Sequence, residues 1–175
     1  MTDVPSPVPA PALGVTAPPI SHAIYGMPMF ATLLVADLDR TTSWYVRGLG
    51  FISLFAMPGP DGPVLVHLRR WQFQDLLVRP ASEPIERGTG CRLSFAAVYD
   101  EIDALAAQAR AHGAGRVDGP VDTPWNTRDL TTVDPDGNMV IFTAARPADQ
   151  SDAAFNEQMR RWTDEQGVAG SGPSS

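Results

Sequence analysis

The chain has 175 residues, of which 43% are hydrophobic and 19% are charged, values typical of a single folded domain with a substantial core. Its formal net charge is −7. This acidic balance argues against nucleic acid and anionic membranes as partners, because both require a basic surface.

The N-terminal segment, residues 1–27, is rich in proline, and its first twenty residues contain no lysine or arginine. Prolines interrupt each apolar stretch, so the segment does not have the pattern of a signal peptide. No apolar run in the chain reaches the length of a membrane span. We therefore predict an extended, flexible arm with few groups able to anchor it.

Residues 28–146 contain an internal repeat. The stretches "MFATLLVADLDRTTSWYVRGLGF" and "CRLSFAAVYDEIDALAAQARAHGAGRV" each run strand, acidic cap, helix, glycine, strand. Asp37 is the predicted cap of the first helix; Asp100, with Asp103 in the reciprocal position, is that of the second. Cys91, the only cysteine, begins the second copy. A single cysteine excludes an internal disulfide and predicts a cytoplasmic protein.

Three further strands follow each helix, so the order β-α-β-β-β occurs twice, in modules of about 28–80 and 90–146. The predicted strands are 50–57, 64–70, 72–79, 115–121, 128–133 and 139–145. The turn Asp134-Pro135-Asp136-Gly137-Asn138 joins the last two into a hairpin. Neither module can bury both faces of its sheet alone, so we expect one α+β domain.

Residues 147–175 are predicted to form a helix and a flexible tail. Ser151 or Asp152 can cap the helix, and Phe155, Met159 and Trp162 share one face. This face either packs on its own domain or contacts a partner subunit.

The doubled module resembles the vicinal oxygen chelate superfamily, which includes glyoxalase, bleomycin-resistance and extradiol-dioxygenase proteins. The resemblance rests on "LLVADLDRTTSWYVRGLGF" (33–51) and "PWNTRDLTTVDPDGN" (124–138) and spans about 28–146. It implies two modules forming a curved mixed sheet around a cavity, in a homodimer.

The resemblance also implies four positions for metal ligands. They fall on Phe30, on Asp75, on Arg92 or Leu93, and on Ile141. One carboxylate with an arginine and hydrophobic residues does not supply the several donors that a divalent metal needs. The sequence therefore predicts no metal and no other cofactor.

His67 and Asp75 lie on neighbouring predicted strands and are the only plausible catalytic couple. They could act as a general base with its orienting acid, or they could form an ordinary cross-strand pair.

Strand alternation predicts a mostly apolar ligand-binding cavity. Trp125 could form its rim, and Arg128 or His67 could orient a ligand. The remaining predicted lining residues are Phe30, Thr32, Leu34, Met139, Ile141 and Thr143.

Such a cavity suits a planar or cationic small molecule. The sequence favours a metal-free, non-catalytic binding protein that sequesters an antibiotic or planar metabolite. The alternative is a metal-independent lyase or isomerase acting on a small metabolite. A metal-dependent glyoxalase or dioxygenase is the least favoured hypothesis, and the identity of the ligand stays open.

Overall fold

The computed structural model describes residues 14–23, 25–27, 29–85 and 92–165. The predictions for residues 1–13 of the arm, for Cys91 and for the C-terminal tail from residue 166 lie outside these ranges.

The first module comprises β1 (Ala31–Val35), α1 (Leu38–Ser43), β2 (Ile52–Gly59), β3 (Gly62–Arg69) and β4 (Asp75–Pro80). The second comprises β5 (Arg92–Ala96), α2 (Ile102–His112), β6 (Arg116–Asp122), β7 (Thr127–Val133) and β8 (Met139–Ala145). α3 (Ala153–Glu165) follows. Short 3-10 turns, Tyr99–Glu101 and Ala148–Gln150, precede α2 and α3.

Each module forms one four-stranded mixed sheet, in the order β1-β4-β3-β2 and β5-β8-β7-β6. In each sheet the strand before the helix pairs in parallel with the last strand of the module, and the other pairs are antiparallel. The predicted α+β fold of two βαβββ modules is therefore confirmed.

The helix ends agree with the sequence in part. Asp37 caps α1, since its Oδ1 accepts a hydrogen bond from the backbone N–H of Arg40 at 2.9 Å. The prediction for α2 is wrong: its N-cap is Glu101, with no side-chain cap, and the Asp103 carboxylate accepts from Arg128 instead. The 3-10 turn before α2 displaces the expected cap by one residue.

A π-helical turn (Trp44–Gly48) continues α1 and changes which residues face the core. The regular helical period predicted Leu38, Thr42, Tyr45 and Leu49 on one face. The buried residues are Thr41, Trp44, Tyr45, Gly48 and Leu49. The wider turn rotates the following residues about the helix axis, so Trp44 and Tyr45 are both buried.

Both modules contribute to one hydrophobic core. Phe51, at the entrance to β2, makes edge-to-face contacts with Phe95 of β5 and Phe142 of β8, at 5.7 and 6.4 Å between ring centroids. Each sheet therefore buries its helix-covered face in this shared core. We call the opposite face of each sheet its outer face.

The turn between β7 and β8 joins the second module to the first. Asp136 accepts hydrogen bonds from the backbone N–H of Ala36 at 2.8 Å and from Thr41 Oγ1 at 2.7 Å. Buried Asp134 accepts from the Tyr45 hydroxyl at 3.2 Å. Asp136 therefore binds the start of α1 and Asp134 binds the π-helical turn after it, so the role of both carboxylates is structural.

Of the two predicted caps of α3, Asp152 takes this role, because its Oδ1 accepts from the backbone N–H groups of Ala154 and Phe155. Asn126 attaches this end of the helix to the loop before β7 through Asn156 Oδ1 at 2.8 Å and the Asp152 backbone. The side chains of Met159 and Trp162 are not among those described. No helix in the described ranges is both long and apolar enough to cross a membrane.

Candidate functional site

The outer face of the first sheet carries the predicted apolar residues of β1. Leu33 and Val35 are buried in the core, so alternation turns Phe30, Thr32 and Leu34 outward. Phe30 is 47% exposed and Leu34 is 52% exposed. The sequence predicted that these three side chains lie on the face opposite Leu33 and Val35, and the structure places them there.

The outer face of the second sheet carries Met139, Ile141 and Thr143 of β8. Val140, Phe142 and Ala144 are buried between them. Ile141 lies between Ser94 of β5 and Thr131 of β7 and is half-buried. These directions also match the prediction.

The structure does not bring these two groups of residues into one cavity. A cavity of about 350 Å³ lies where β1 and β4 of the first module approach β5 of the second. Of the nine predicted ligand-binding residues, only Phe30 lines it, and His67 does not. Its other lining residues include Phe73, Asp75, Arg92, Ser94 and Phe95.

His67 and Asp75 are in contact, as the sequence suggested. His67 Nε2 lies 2.7 Å from Asp75 Oδ1, and both residues are buried. The same carboxylate oxygen accepts from Arg69 Nε at 2.7 Å, and Asp75 Oδ2 accepts from the Tyr25 hydroxyl at 2.8 Å. Asp75 is therefore shared among three partners, which is more than a simple base–acid pair requires.

Sequence reasoning missed Arg69 and Tyr25 as members of this cluster. Arg69 could have been found, because it lies two residues after His67 on β3 and directly opposite Asp75 on β4. The sequence gives no comparable indication for Tyr25, because it belongs to no strand whose pairing would place it beside Asp75.

The N-terminal arm covers this cluster. Arg69 Nη1 donates to the carbonyl oxygens of Ser21 at 3.0 Å and Ala23 at 2.6 Å, and the Arg69 Cζ lies 4.1 Å from the Tyr25 ring centroid. Burial and the Asp75 hydrogen bond raise the pKa of Tyr25, so its hydroxyl stays a donor at neutral pH. We call residues 21–23 and 25–27 the strap.

The expectation that the arm has few anchoring groups is therefore wrong for residues 14–23 and 25–27. Nearer the N-terminus, the backbone N–H groups of Gly14 and Ala17 donate hydrogen bonds to the side chains of Asp100 and Glu101. The anchors are mostly backbone atoms of the arm, which a side-chain pattern cannot reveal.

Arg128 and Trp125 do not take the predicted places. Arg128 lies on the helix-covered face of its sheet, and its guanidinium donates to Asp122 at 2.9 Å and to Asp103 at 3.0 Å. Arg128 and buried Leu130 are two positions apart on β7, so their side chains lie on the same face of the strand. Trp125 is 56% exposed in the loop before β7 and does not line the 350 Å³ cavity.

A family model described as the glyoxalase/bleomycin resistance protein/dioxygenase superfamily matches residues 26–142. The chain belongs to this superfamily. The match covers both modules but not most of the arm or α3, and a comparison with curated proteins finds no significant match.

Solved structures of the same fold agree with this assignment. TioX from Micromonospora sp. ML1 is 25% identical, with a TM-score of 0.55 over 69% of this chain and 99% of its own. TnmS3, an antibiotic binding protein from Streptomyces sp. CB03234, is 27% identical, with a TM-score of 0.51 over 72% and 98%. The fosfomycin resistance protein FosX from Listeria monocytogenes is 17% identical, with a TM-score of 0.55 over 70% and 94%, and shares the fold.

The side chains at the superfamily's implied metal positions do not suit a divalent cation. Phe30 and Ile141 have no donor atom, and Asp75 is already hydrogen-bonded to three side chains. On β5 the outward residue is Arg92, whose guanidinium would repel a cation, while Leu93 is turned towards the core. Within the described ranges, no three histidine, cysteine, aspartate or glutamate side chains are grouped so as to hold a metal ion.

Proposed function

We propose that this chain is a metal-free, non-catalytic protein that binds a small molecule at the junction of its two modules. The observation that carries the proposal is the chemistry of the implied metal positions, where a phenylalanine, an isoleucine and an arginine accompany one fully engaged carboxylate. A member of this superfamily that keeps the cavity but not the metal donors retains the means to bind and lacks the usual means to react.

One relative supports a binding role. TnmS3 is an antibiotic binding protein that is 27% identical to this chain over 98% of the length of TnmS3. Sequestration of an antibiotic or planar metabolite is the corresponding activity for this chain.

The cavity favours a planar, partly apolar ligand. Phe30, Phe73 and Phe95 supply aromatic surface, and Arg92 and Gln74 supply hydrogen-bond donors at its edges. The net charge of −7 would attract a cationic ligand to the protein, whereas the guanidinium of Arg92 opposes a cation within this cavity. A volume of about 350 Å³ is at the small end of ordinary ligand sites.

Replacing Phe30 with alanine tests this site. We expect Phe30→Ala to weaken a planar aromatic ligand by about 1–3 kcal/mol, roughly one to two decades in affinity, because the ring forms part of the cavity wall. Calorimetry with the tightest compound from a screen of planar aromatic antibiotics measures the change.

Trp125→Ala is the matched control, since Trp125 is a comparably exposed aromatic residue outside this cavity. It should leave the affinity unchanged. Equal losses in both variants would show that the compound binds to exposed aromatic residues in general.

A metal-independent lyase or isomerase is the second candidate, because His67 and Asp75 do form a short hydrogen bond. The competing contact of Arg69 with the same oxygen favours the structural interpretation. Chemical conversion of a bound compound that is abolished by His67→Gln would support the enzyme.

We also propose a homodimer in the cytoplasm. Apolar residues on the outer faces, including Phe55, Met57 and Val121, are exposed in the single chain, and a second copy could cover them. Light scattering at micromolar concentration should give twice the mass of one chain, and the mass of one chain would contradict the dimer.

A further inference from the structure

The guanidinium of Arg69 is fully buried, but its hydrogen bonds are incomplete. Nε donates to Asp75, and Nη1 donates to the carbonyl oxygens of Ser21 and Ala23. Nη2 is buried and has no partner among the described residues. The edge formed by Nη1 and Nη2 therefore contacts two neutral acceptors on one nitrogen and no described acceptor on the other.

A carboxylate would satisfy this edge better than the strap does. It can accept one N–H from each terminal nitrogen of a guanidinium in a planar, bidentate arrangement. Hydrogen bonds to an ionised acceptor are about twice as strong as those to a neutral carbonyl. The two strap carbonyls therefore lie where a carboxylate could bind. Unlike a carboxylate, they are neutral, and both accept from the same nitrogen.

Apart from the bonds to Arg69, the described residues of the strap are held mainly by the side chain of Tyr25. Tyr25 donates to Asp75, accepts from the backbone N–H of Phe73 at 2.7 Å and contacts the Phe73 ring edge-on. The strap belongs to no helix or strand, and His22 and Gly26 within it are exposed. Displacing it would break only these few interactions.

The strap also adjoins the proposed ligand site. Asp75 and Phe73, which the Tyr25 hydroxyl contacts, both line the 350 Å³ cavity at the junction of the modules. A ligand seated against Phe30 could therefore extend an acidic group towards Arg69 once the strap has moved.

We propose that Arg69 is an oxyanion-binding residue, that the strap occupies this position in the absence of ligand, and that the ligand of this face carries a carboxylate that displaces it. This inference rests on the proposed small-molecule binding and names the chemical class of the ligand. The aromatic part of the ligand then contacts Phe30 and Phe73, and its carboxylate pairs with Arg69.

The test compares benzoate with its neutral isostere benzamide, titrated by calorimetry into the full-length chain and into Tyr25→Ala. We expect benzoate to bind Tyr25→Ala about tenfold more tightly, because loosening the strap increases the fraction of chains with an accessible Arg69. Benzamide should change little. Tyr99→Ala is the matched control, because the Tyr99 hydroxyl donates to Gln150 and not to Asp75. This variant should behave like the parent.

Arg69→Lys in the Tyr25→Ala background identifies the anion-binding residue. Lysine keeps the charge opposite Asp75 but not the planar fork, so the preference for benzoate should disappear. If Tyr25→Ala does not fold, Tyr25→Phe removes only the hydroxyl contacts and should give a smaller gain in the same direction.

Equal affinity gains for benzoate and benzamide, or no gain for benzoate, would overturn the proposal. Retention of the benzoate preference in the Arg69→Lys variant would also overturn it. Neutral planar compounds that still bind and still depend on Phe30 would then leave the proposed function intact. The opposite outcome is also distinguishable. If the preference for benzoate depends on Arg69 but Phe30→Ala does not change the binding of planar compounds, the anion site alone is supported.

Discussion

Replacing Asp134 with alanine should lower the free energy of unfolding by about 2–3 kcal/mol. Asp134 accepts four hydrogen bonds, from the backbone N–H groups of Asp136 and Asn138, from Asn138 Nδ2 and from the Tyr45 hydroxyl. At about 1 kcal/mol each these contribute roughly 4 kcal/mol. Without these four bonds, the turn between β7 and β8 is no longer held in its conformation or attached to the helical segment of the first module.

The expected loss is smaller than the sum of the bonds because ionised Asp134 is costly to bury. Burial raises the pKa of this carboxyl above its ordinary value of 3.8, although the bonds from Asn138 and Tyr45 oppose the shift. A raised folded-state pKa means that ionisation opposes folding at neutral pH; this penalty fades as the pH falls through the raised folded-state pKa and is gone below the unfolded-state value. The alanine variant should therefore be less sensitive to pH in the acidic range than the parent.

Thermal unfolding followed by circular dichroism measures the effect, which should appear as a fall in melting temperature of about 4–12 °C. Asp61→Ala is the matched control, because Asp61 occupies the similar turn of the first module and is exposed. Equal melting temperatures for Asp134→Ala and Asp61→Ala would contradict the structural role of the closing turn.

Replacing Asp75 with alanine should be more damaging, at about 3–5 kcal/mol, because it leaves the buried charge of Arg69 uncompensated. Arg69 and Asp75 are 0% and 2% exposed, and the Tyr25 hydroxyl and His67 would lose their acceptor at the same time. Urea unfolding measures the change.

The Arg69→Met/Asp75→Ala double variant separates the charge effect from simple loss of packing. Removing both charges should restore part of the stability lost in Asp75→Ala, because no buried ion is then left without a partner. Asp118→Ala is the control, since Asp118 and Arg116 form an exposed pair whose loss should cost less than about 1 kcal/mol. A loss below that value for Asp75→Ala would show that the buried cluster does not form in solution.

Local signals predicted much of the fold. Alternation alone predicts that Val35 and Phe142 pack against the helices and that Phe30 and Ile141 lie on the opposite faces, because successive side chains of a strand point to opposite sides. The hairpin of β7 and β8 was predictable from the turn formers between Asp134 and Asn138.

Features that depend on tertiary contacts were not predictable in this way. The sequence does not show that both sheets share one core, so residues on two outer faces were assigned to a single cavity. Arg128 was expected at the ligand because arginine often orients ligands, yet its partners Asp103 and Asp122 come from α2 and β6. The strap binds Arg69 through carbonyl oxygens of Ser21 and Ala23, and every residue type has such an oxygen.

The central claim is that the cavity binds a small molecule without metal and without chemistry. The most direct measurement is a calorimetric titration of the full-length chain with a planar aromatic ligand, before and after exhaustive treatment with a chelator, followed by mass spectrometry of the recovered ligand. We predict the same affinity in both titrations, and recovery of the ligand with its mass unchanged. Binding that requires added metal, or a ligand recovered with an altered mass, would contradict it.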